Sequence, residues 1–120
     1  MFIADDSATI RERLTELLSS LDGVVVVGQA DDVPSAEKGI QNTRPDVAIL
    51  DIRMPGGTGI DVLRKVKRGQ PGGPSFIMYT NYGNPQYRTA CAEAGADFFF
   101  DKATETKTLA EAVRMLASRR

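Results

Sequence analysis

Short apolar runs alternate with longer amphipathic segments along this 120-residue chain, and this alternation constrains the fold more than any other feature. The runs that we expect to form strands are residues 2–4, 24–27, 47–50, 76–79 and 97–100. The segments with helical spacing are residues 7–21, 58–68, 85–94 and 106–118. One more such segment begins at residue 33 and is stopped by Arg44-Pro45. Strands that alternate with helices form βαβ units with right-handed crossovers. The pattern therefore predicts an α/β fold, a parallel sheet covered on both faces in a three-layer α/β/α sandwich.

The second strand is placed at residues 24–27 because four consecutive valines follow Gly23 there. β-Branched residues favour strands, and a glycine commonly ends the helix before it. The helix over residues 7–21 is supported by apolar residues that recur at helical spacing. These residues are Ile10, Leu14, Leu17, Leu18 and Leu21.

Composition and length exclude several classes of protein. The net charge is -1, so the chain has no basic surplus for phosphate backbones, and we expect no direct nucleic-acid binding. No apolar run reaches membrane-spanning length, and no signal-peptide pattern is present at the N-terminus. The single cysteine, Cys91, fits a reducing cytoplasm, and the lack of histidine excludes a phosphohistidine carrier. The length fits a single domain over residues 1–120.

Charged and polar residues follow the apolar runs at the point where each predicted strand ends. In a parallel sheet these ends share one edge, which is where such folds bind ligands. The residues at the ends of the first, third, fourth and fifth strands are Asp5 and Asp6, Asp51, Thr80, and Asp101 with Lys102. If those strands are neighbours, three carboxylates, a hydroxyl and an ammonium converge.

This set of groups indicates metal-assisted phosphoryl chemistry. Two carboxylates about 4 Å apart repel by about 4 kcal/mol at an effective dielectric constant near 20, so a cation is needed. Oxygen ligands without histidine or cysteine favour Mg²⁺. An ammonium and a hydroxyl beside the metal suit a phosphoryl group, and one carboxylate can act as the nucleophile.

Four motifs in order carry a family resemblance that covers nearly the whole chain. They are Asp5-Asp6, Asp51-Ile-Arg-Met-Pro55 with Gly59 eight residues after the aspartate, Thr80, and Lys102. With these motifs the sequence resembles the receiver domain of bacterial two-component response regulators. The segment from Thr80 to Lys102 is most similar to receivers joined to helix-turn-helix output domains, the LuxR-type subgroup. The resemblance implies a flavodoxin-like doubly wound sheet with strand order 2-1-3-4-5.

The resemblance also implies a role for each matched residue at the phosphorylation site. Asp51 would accept a phosphoryl group from the phosphohistidine of a sensor kinase or from a phosphotransfer protein. Asp6, Asp51 and the carbonyl of Arg53 would bind Mg²⁺, with Asp5 acting mainly through water. Lys102 would pair with Asp51 or its phosphoryl group.

The same family likeness implies a switch. Thr80 would hydrogen-bond the phosphoryl oxygen and move toward it, and Phe99 matches the aromatic switch position. The face formed by the fourth helix, the fifth strand and the fifth helix would carry the signal to a homodimer partner or an output domain. Such a domain is a signalling module and not a turnover enzyme, although it catalyses its own phosphorylation and dephosphorylation.

The chain departs from the family pattern at several positions. Ala103 stands where a cis proline often follows the lysine, and Asn81 stands where a small residue is more common. Arg53 and Tyr82 occupy rim positions that gate the hydrolytic water in such a site. The first strand is also short.

Two other functions remain open from the sequence. Asn81 and Ala103 allow a phosphorylation-independent pseudo-receiver that only binds a protein partner. A small phosphohydrolase with an aspartyl-phosphate intermediate would need an acid two residues after the nucleophile, where this chain has Arg53. Taken alone, Asp5-Asp6 is also typical of a helix N-cap beside Ser7, and Gly56–Gly59 is typical of a turn.

Overall fold

The computed structural model describes residues 1–70 and 72–118. Its five sheet strands are β1 (Phe2–Ala4), β2 (Gly28–Ala30), β3 (Val47–Leu50), β4 (Ser75–Thr80) and β5 (Phe98–Asp101). Its helices are α1 (Ala8–Ser19), α2 (Val33–Thr43), α3 (Gly59–Gly69), α4 (Pro85–Ala94) and α5 (Thr106–Ser118). The two short strands Arg53–Met54 and Gly57–Thr58 form a separate antiparallel pair, called here the 53–58 hairpin.

The sheet has the order β2-β1-β3-β4-β5, and every pairing in it is parallel. This confirms the predicted 2-1-3-4-5 order and the flavodoxin-like α/β class. Side chains of successive strand residues enter two apolar clusters on opposite faces, as the pleat requires. Helices α2, α3 and α4 contribute to one cluster, and α1 and α5 contribute to the other. The three layers therefore correspond to the predicted sandwich.

The prediction of the second strand at residues 24–27 is wrong, because the strand begins at Gly28. The register places Gly28 opposite Phe2, the first residue of β1, so the valines run past the start of the β1 strand. Before Gly28 two bonds to Met1 continue the contact: the N–H of Val27 donates to the Met1 carbonyl at 2.8 Å, and the Met1 ammonium donates to the Val25 carbonyl at 2.5 Å. Val25 is 68% exposed, while Val24 and Val26 pack against the α1/α5 cluster. Val24 and Val26 therefore extend the core, although residues 24–27 precede the strand.

The 53–58 hairpin was not predicted, although its glycines were assigned to a turn. Gly56 has a φ of 92°, a conformation that L side chains rarely adopt, and it reverses the chain between the two short strands. The Pro55 carbonyl accepts a hydrogen bond from the N–H of Val33 at 2.9 Å, which ties the hairpin to the start of α2. The segment after Asp51 is therefore a fixed structure and not a free loop.

Two further expectations concern single residues. Cys91 is a buried free thiol within the α2/α3/α4 cluster, and burial raises its pKa to about 11. It packs as a small apolar residue, as its helical spacing indicates. All described peptide bonds are trans, including the one between Lys102 and Ala103. Among the helices of the described ranges, none has the length and apolar character needed to cross a membrane.

Gly39 provides a test of the packing of β1 against α2. Replacing a helical glycine by alanine normally stabilises a helix by about 1 kcal/mol. At Gly39, however, a Cβ would lie 2.5 Å from Cζ of Phe2, whose ring is only 2% exposed and has no room to move. We therefore expect Gly39→Ala to lower the free energy of unfolding by about 1–2 kcal/mol, measured by chemical denaturation.

The matched control is Gly69→Ala at the last residue of α3, where a Cβ would meet nothing within 4 Å. This variant should be as stable as the native chain or slightly more stable. Equal stability of the Gly39→Ala chain and the native chain would contradict the close packing of Phe2.

Candidate functional site

Three charged residues each lie one position beyond a strand and are held there by the backbone ladder. Asp5 follows β1, Asp51 follows β3 and Lys102 follows β5. Each donates its N–H to a carbonyl on the neighbouring strand. The acceptors are Ala30, Ala4 and Thr80 respectively, each at 3.0 Å. The sheet therefore continues by one residue at this edge and fixes the backbone of all three.

Gly59 constrains Asp51 from the side of α3. The N–H of Gly59 donates to the carbonyl of Ile52 at 2.7 Å. A Cβ at Gly59 would lie 2.0 Å from the carbonyl oxygen of Asp51. A side chain at this position would therefore displace the backbone that carries the aspartate. This close approach explains why a glycine follows Asp51 at that spacing.

The ammonium of Lys102 bridges two buried carboxylates. Its Nζ lies 2.5 Å from Asp5 Oδ2 and 2.9 Å from Asp51 Oδ2. Asp5 is 2% exposed and Asp51 is 4% exposed. The remaining oxygens accept backbone bonds, Asp5 Oδ1 from Ser7 N–H at 2.9 Å and Asp51 Oδ1 from Ile52 N–H at 2.7 Å. Buried charges require such pairing, and every carboxylate oxygen here has a donor.

Burial and pairing have opposite effects on the ionisation of these groups. Burial raises the pKa of Asp5, although the hydrogen bonds from Lys102 and the Ser7 N–H act to lower it. Burial disfavours the charged form of Lys102, but its bonds to Asp5 and Asp51 outweigh this and raise the pKa of the ammonium. The lysine is therefore a permanent cation in this site at neutral pH.

Asp6 completes the acidic cluster. One carboxylate oxygen from each of Asp5, Asp6 and Asp51 lies within 4.8 Å of the others, and Asp6 is exposed. The N-cap of α1 is Ser7, whose hydroxyl accepts from Ile10 N–H, so neither aspartate serves as the cap. Three carboxylates against one ammonium leave negative charge at the site, and oxygen donors of this kind suit a hard divalent cation.

Thr80 lies at the end of β4, between the strands that carry Asp51 and Lys102, and it is fully buried. Its hydroxyl oxygen accepts a hydrogen bond from the N–H of Tyr82 at 3.1 Å. Asn81, between them in sequence, is exposed. The hydroxyl thus belongs to the same sheet edge and is connected to the loop that follows β4.

Arg53 and Tyr82 stack on each other at the rim of the site. The guanidinium carbon lies 4.6 Å from the centroid of the Tyr82 ring, and Tyr82 meets Tyr87 edge-on at 6.3 Å. Tyr87, followed by Tyr82, raises the pKa of the Arg53 guanidinium through hydrogen bonding and charge effects. The sequence placed Arg53 and Tyr82 at the rim separately. Their contact joins the hairpin to the loop after β4, and no local sequence pattern predicts this contact.

Two residues at the end of β5 lie outside the acidic cluster. Phe99 packs against the α2/α3/α4 cluster, and the guanidinium of Arg88 covers its ring at 4.5 Å. Asp101 accepts the N–H of Ala103 at 2.7 Å and therefore caps the turn before α5. Of the carboxylates that follow predicted strands, only those of Asp5, Asp6 and Asp51 come together in the part of the chain that is described.

Comparison with known proteins agrees with this geometry. The family profile described as the response regulator receiver domain matches residues 1–114. Response regulator GacA of Pseudomonas viridiflava is 29% identical over 116 residues, which cover 97% of this chain and 54% of GacA. The chain therefore spans about half the length of that relative.

Two solved structures have the same fold with sequence identity above one quarter. The signal receiver domain of NarL from Mycobacterium tuberculosis has a TM-score of 0.87 and 32% identity, covering 99% of this chain and 95% of that one. A LuxR-family DNA-binding response regulator from Staphylococcus aureus has a TM-score of 0.88 and 26% identity, covering 97% and 96%. The LuxR-family relative agrees with the predicted subgroup. Because the profile covers nearly all of the sequence and the strand-end cluster is in place, this chain belongs to the family of response regulator receiver domains.

Proposed function

We propose that the chain is a phosphoacceptor signalling domain in which Asp51 receives a phosphoryl group from the phosphohistidine of a separate sensor kinase or phosphotransfer protein. The observation that carries this proposal is the buried Asp51 carboxylate, held between the Lys102 ammonium and two further aspartates. These 120 residues contain no histidine, so the donor histidine lies outside them. The carboxylate attacks phosphorus, the P–N bond of the donor breaks, and the imidazole, already protonated on its other ring nitrogen, leaves as the neutral ring.

The residues around Asp51 supply the charge stabilisation that phosphoryl transfer needs. The ammonium of Lys102 already contacts Asp51 Oδ2 at 2.9 Å, so it is positioned to follow the negative charge onto the phosphoryl oxygens. The hydroxyl of Thr80 offers one hydrogen bond to the same group. Since Thr80 is buried at the end of a strand, a small shift of the chain after β4 would accompany that bond.

We further propose that Asp6, Asp51 and the carbonyl of Arg53 bind Mg²⁺, with Asp5 acting mainly through water. Asp5 is already occupied by Lys102 and by Ser7 N–H, whereas Asp6 is exposed and free to turn toward an ion. When bound, the metal would neutralise charge on the transferring phosphoryl oxygens. The donor set, all oxygen and net negative, fits this ion.

The readout of phosphorylation is proposed to be the face formed by α4, β5 and α5, with Thr80 and Phe99 as switch residues. A phosphoryl group shifts the equilibrium only by its differential interaction with the two states. A homodimer partner or an output domain would bind this face in the cytoplasm, where the buried free thiol of Cys91 would persist. No turnover of an external substrate is proposed, because Arg53 cannot act as the acid of a phosphohydrolase.

Magnesium binding should depend on Asp6 and should be opposed by Lys102. Removing a unit charge from the cluster with Asp6→Asn should weaken Mg²⁺ affinity by about tenfold or more. Lys102→Met should strengthen it, because a competing cation that contacts Asp5 and Asp51 is removed. The measurement is the rise of Tm with Mg²⁺ concentration, since a ligand of the folded state stabilises it. Equal Mg²⁺ responses in the native and Asp6→Asn chains would contradict the assignment.

Phosphorylation itself is tested with Mg²⁺ and acetyl phosphate, followed by intact mass. The native chain should gain the mass of one phosphoryl group, because Asp51 is the carboxylate in contact with the lysine. Asp51→Asn should gain none, since an amide is not a nucleophile for this step. Asp22→Asn is the matched control, because Asp22 is exposed and lies outside the cluster.

The outcomes separate the candidate functions. An adduct that survives Asp51→Asn would show that another residue is the acceptor. Absence of an adduct, together with partner binding that is indifferent to Asp51→Asn, would favour the pseudo-receiver. Steady release of phosphate from a phosphoester would instead favour a phosphohydrolase.

The lifetime of the phosphoryl group should depend on the stack of Arg53 on Tyr82. The guanidinium lies over the tyrosine ring at 4.6 Å, and we propose that this stack restricts the access of the hydrolytic water to Asp51. Arg53→Ala should therefore shorten the half-life of the phosphorylated chain severalfold, measured by the decay of the mass adduct. Arg13→Ala, at an exposed position of α1, should leave the half-life unchanged. A longer half-life in Arg53→Ala would show that the stack does not shield the site.

A further inference from the structure

Arg88, on the first turns of α4, connects three parts of the proposed switch. Its Nε donates to the carbonyl of Gly83 at 3.2 Å, and its Nη2 donates to Glu105 Oε1 at 3.2 Å. Its guanidinium also covers the ring of Phe99 at 4.5 Å from the centroid. The same Glu105 oxygen accepts the N–H of Asp101 at 3.0 Å. One side chain thus joins the loop after β4 to β5 and to the start of α5.

We propose, on the basis of the proposed phosphorylation of Asp51, that Arg88 is a positioning residue that holds the loop after Thr80 in its unphosphorylated arrangement. The loop is joined to the site because the hydroxyl of Thr80 accepts the N–H of Tyr82 at 3.1 Å. If Thr80 moves toward a phosphoryl group, Tyr82 must follow or that bond must break. Gly83 is the next residue, and its carbonyl is held by Arg88.

The contacts of Arg88 have a strength suited to this role. Its side chain is 44% exposed and that of Glu105 is 33% exposed, so water screens the ion pair. The planar guanidinium stacks on Phe99 and at the same time donates in two directions, which a lysine ammonium does not reproduce. An interaction made only in the unphosphorylated arrangement lowers the apparent affinity for any ligand that selects the other arrangement.

The test is the affinity of the full chain for beryllofluoride in saturating Mg²⁺, measured by NMR titration. Arg88→Ala should bind this phosphoryl mimic about fivefold more tightly than the native chain, because one exposed cation–π contact and its ion pair no longer oppose the change. Without the mimic, the amide signals of Tyr82 and Gly83 should already lie partway toward their bound positions. Damage to folding would weaken binding, so a gain in affinity identifies release of the loop.

Three variants complete the experiment. Arg88→Lys should show most of the increase in beryllofluoride affinity, because the lysine keeps the positive charge but loses the planar group that stacks on Phe99. Glu105→Gln should give a smaller gain, since its amide oxygen still accepts the Asp101 N–H. Arg64→Ala removes the same charge from an exposed position of α3 and should bind like the native chain.

Failure of the native chain to bind beryllofluoride would overturn the proposed function. Native binding with equal or weaker affinity in Arg88→Ala would overturn the role of Arg88 alone.

Discussion

The pairing of Lys102 with the buried carboxylates of Asp5 and Asp51 is the interaction on which the rest of the site depends. Two carboxylates this close repel each other by several kcal/mol, of the order of 4 kcal/mol at 4 Å and an effective dielectric constant near 20. The ammonium lies within 2.9 Å of both and makes their burial possible. It cannot neutralise Asp6 as well, so the cluster keeps a negative charge. The remaining negative charge favours a hard cation, and the Lys102 ammonium places a positive charge beside the Asp51 carboxylate, the setting that the proposed nucleophile requires.

These charges are held in place by the sheet more than by their own contacts. Asp5, Asp51 and Lys102 each donate a backbone bond to the adjacent strand, and Gly59 packs directly against the Asp51 carbonyl. Their backbones are therefore fixed by the sheet ladder. Thr80 differs, because its hydroxyl is bonded to the loop that follows it. The site thus combines the fixed carboxylate of Asp51, the proposed nucleophile, with one hydroxyl that is bonded to the loop after β4.

The acidic residues could be predicted from a short-range pattern, whereas the strand order followed from the family resemblance and was confirmed by the structure. A charged residue directly after an apolar run is visible without coordinates, and parallel strands bring such ends to one edge. The second strand was misplaced because β propensity favours the valines at 24–27, whereas pairing with β1 begins at Gly28. The Arg53–Tyr82 and Arg88–Phe99 stacks escaped prediction altogether. Each joins residues from different elements, and neither residue type signals its partner in the sequence.

The two arginine stacks are exposed to water, unlike the ion pairs of the buried cluster, and this difference affects which contacts a phosphoryl group could change. A phosphoryl group can move this chain only by the difference between its interactions in the two arrangements. In the proposed mechanism the Lys102 ammonium stays at the site and follows the negative charge from Asp51 onto the phosphoryl oxygens, so this contact is transferred and not lost. Both stacks contact the loop after Thr80, Arg53 through the ring of Tyr82 and Arg88 through the carbonyl of Gly83, and both arginines are accessible to water. Water-exposed contacts of this kind are individually weak. If the chain switches as proposed, weak and solvent-screened contacts around a charged centre fixed by the sheet let a small energy change rearrange the loop without unfolding the site.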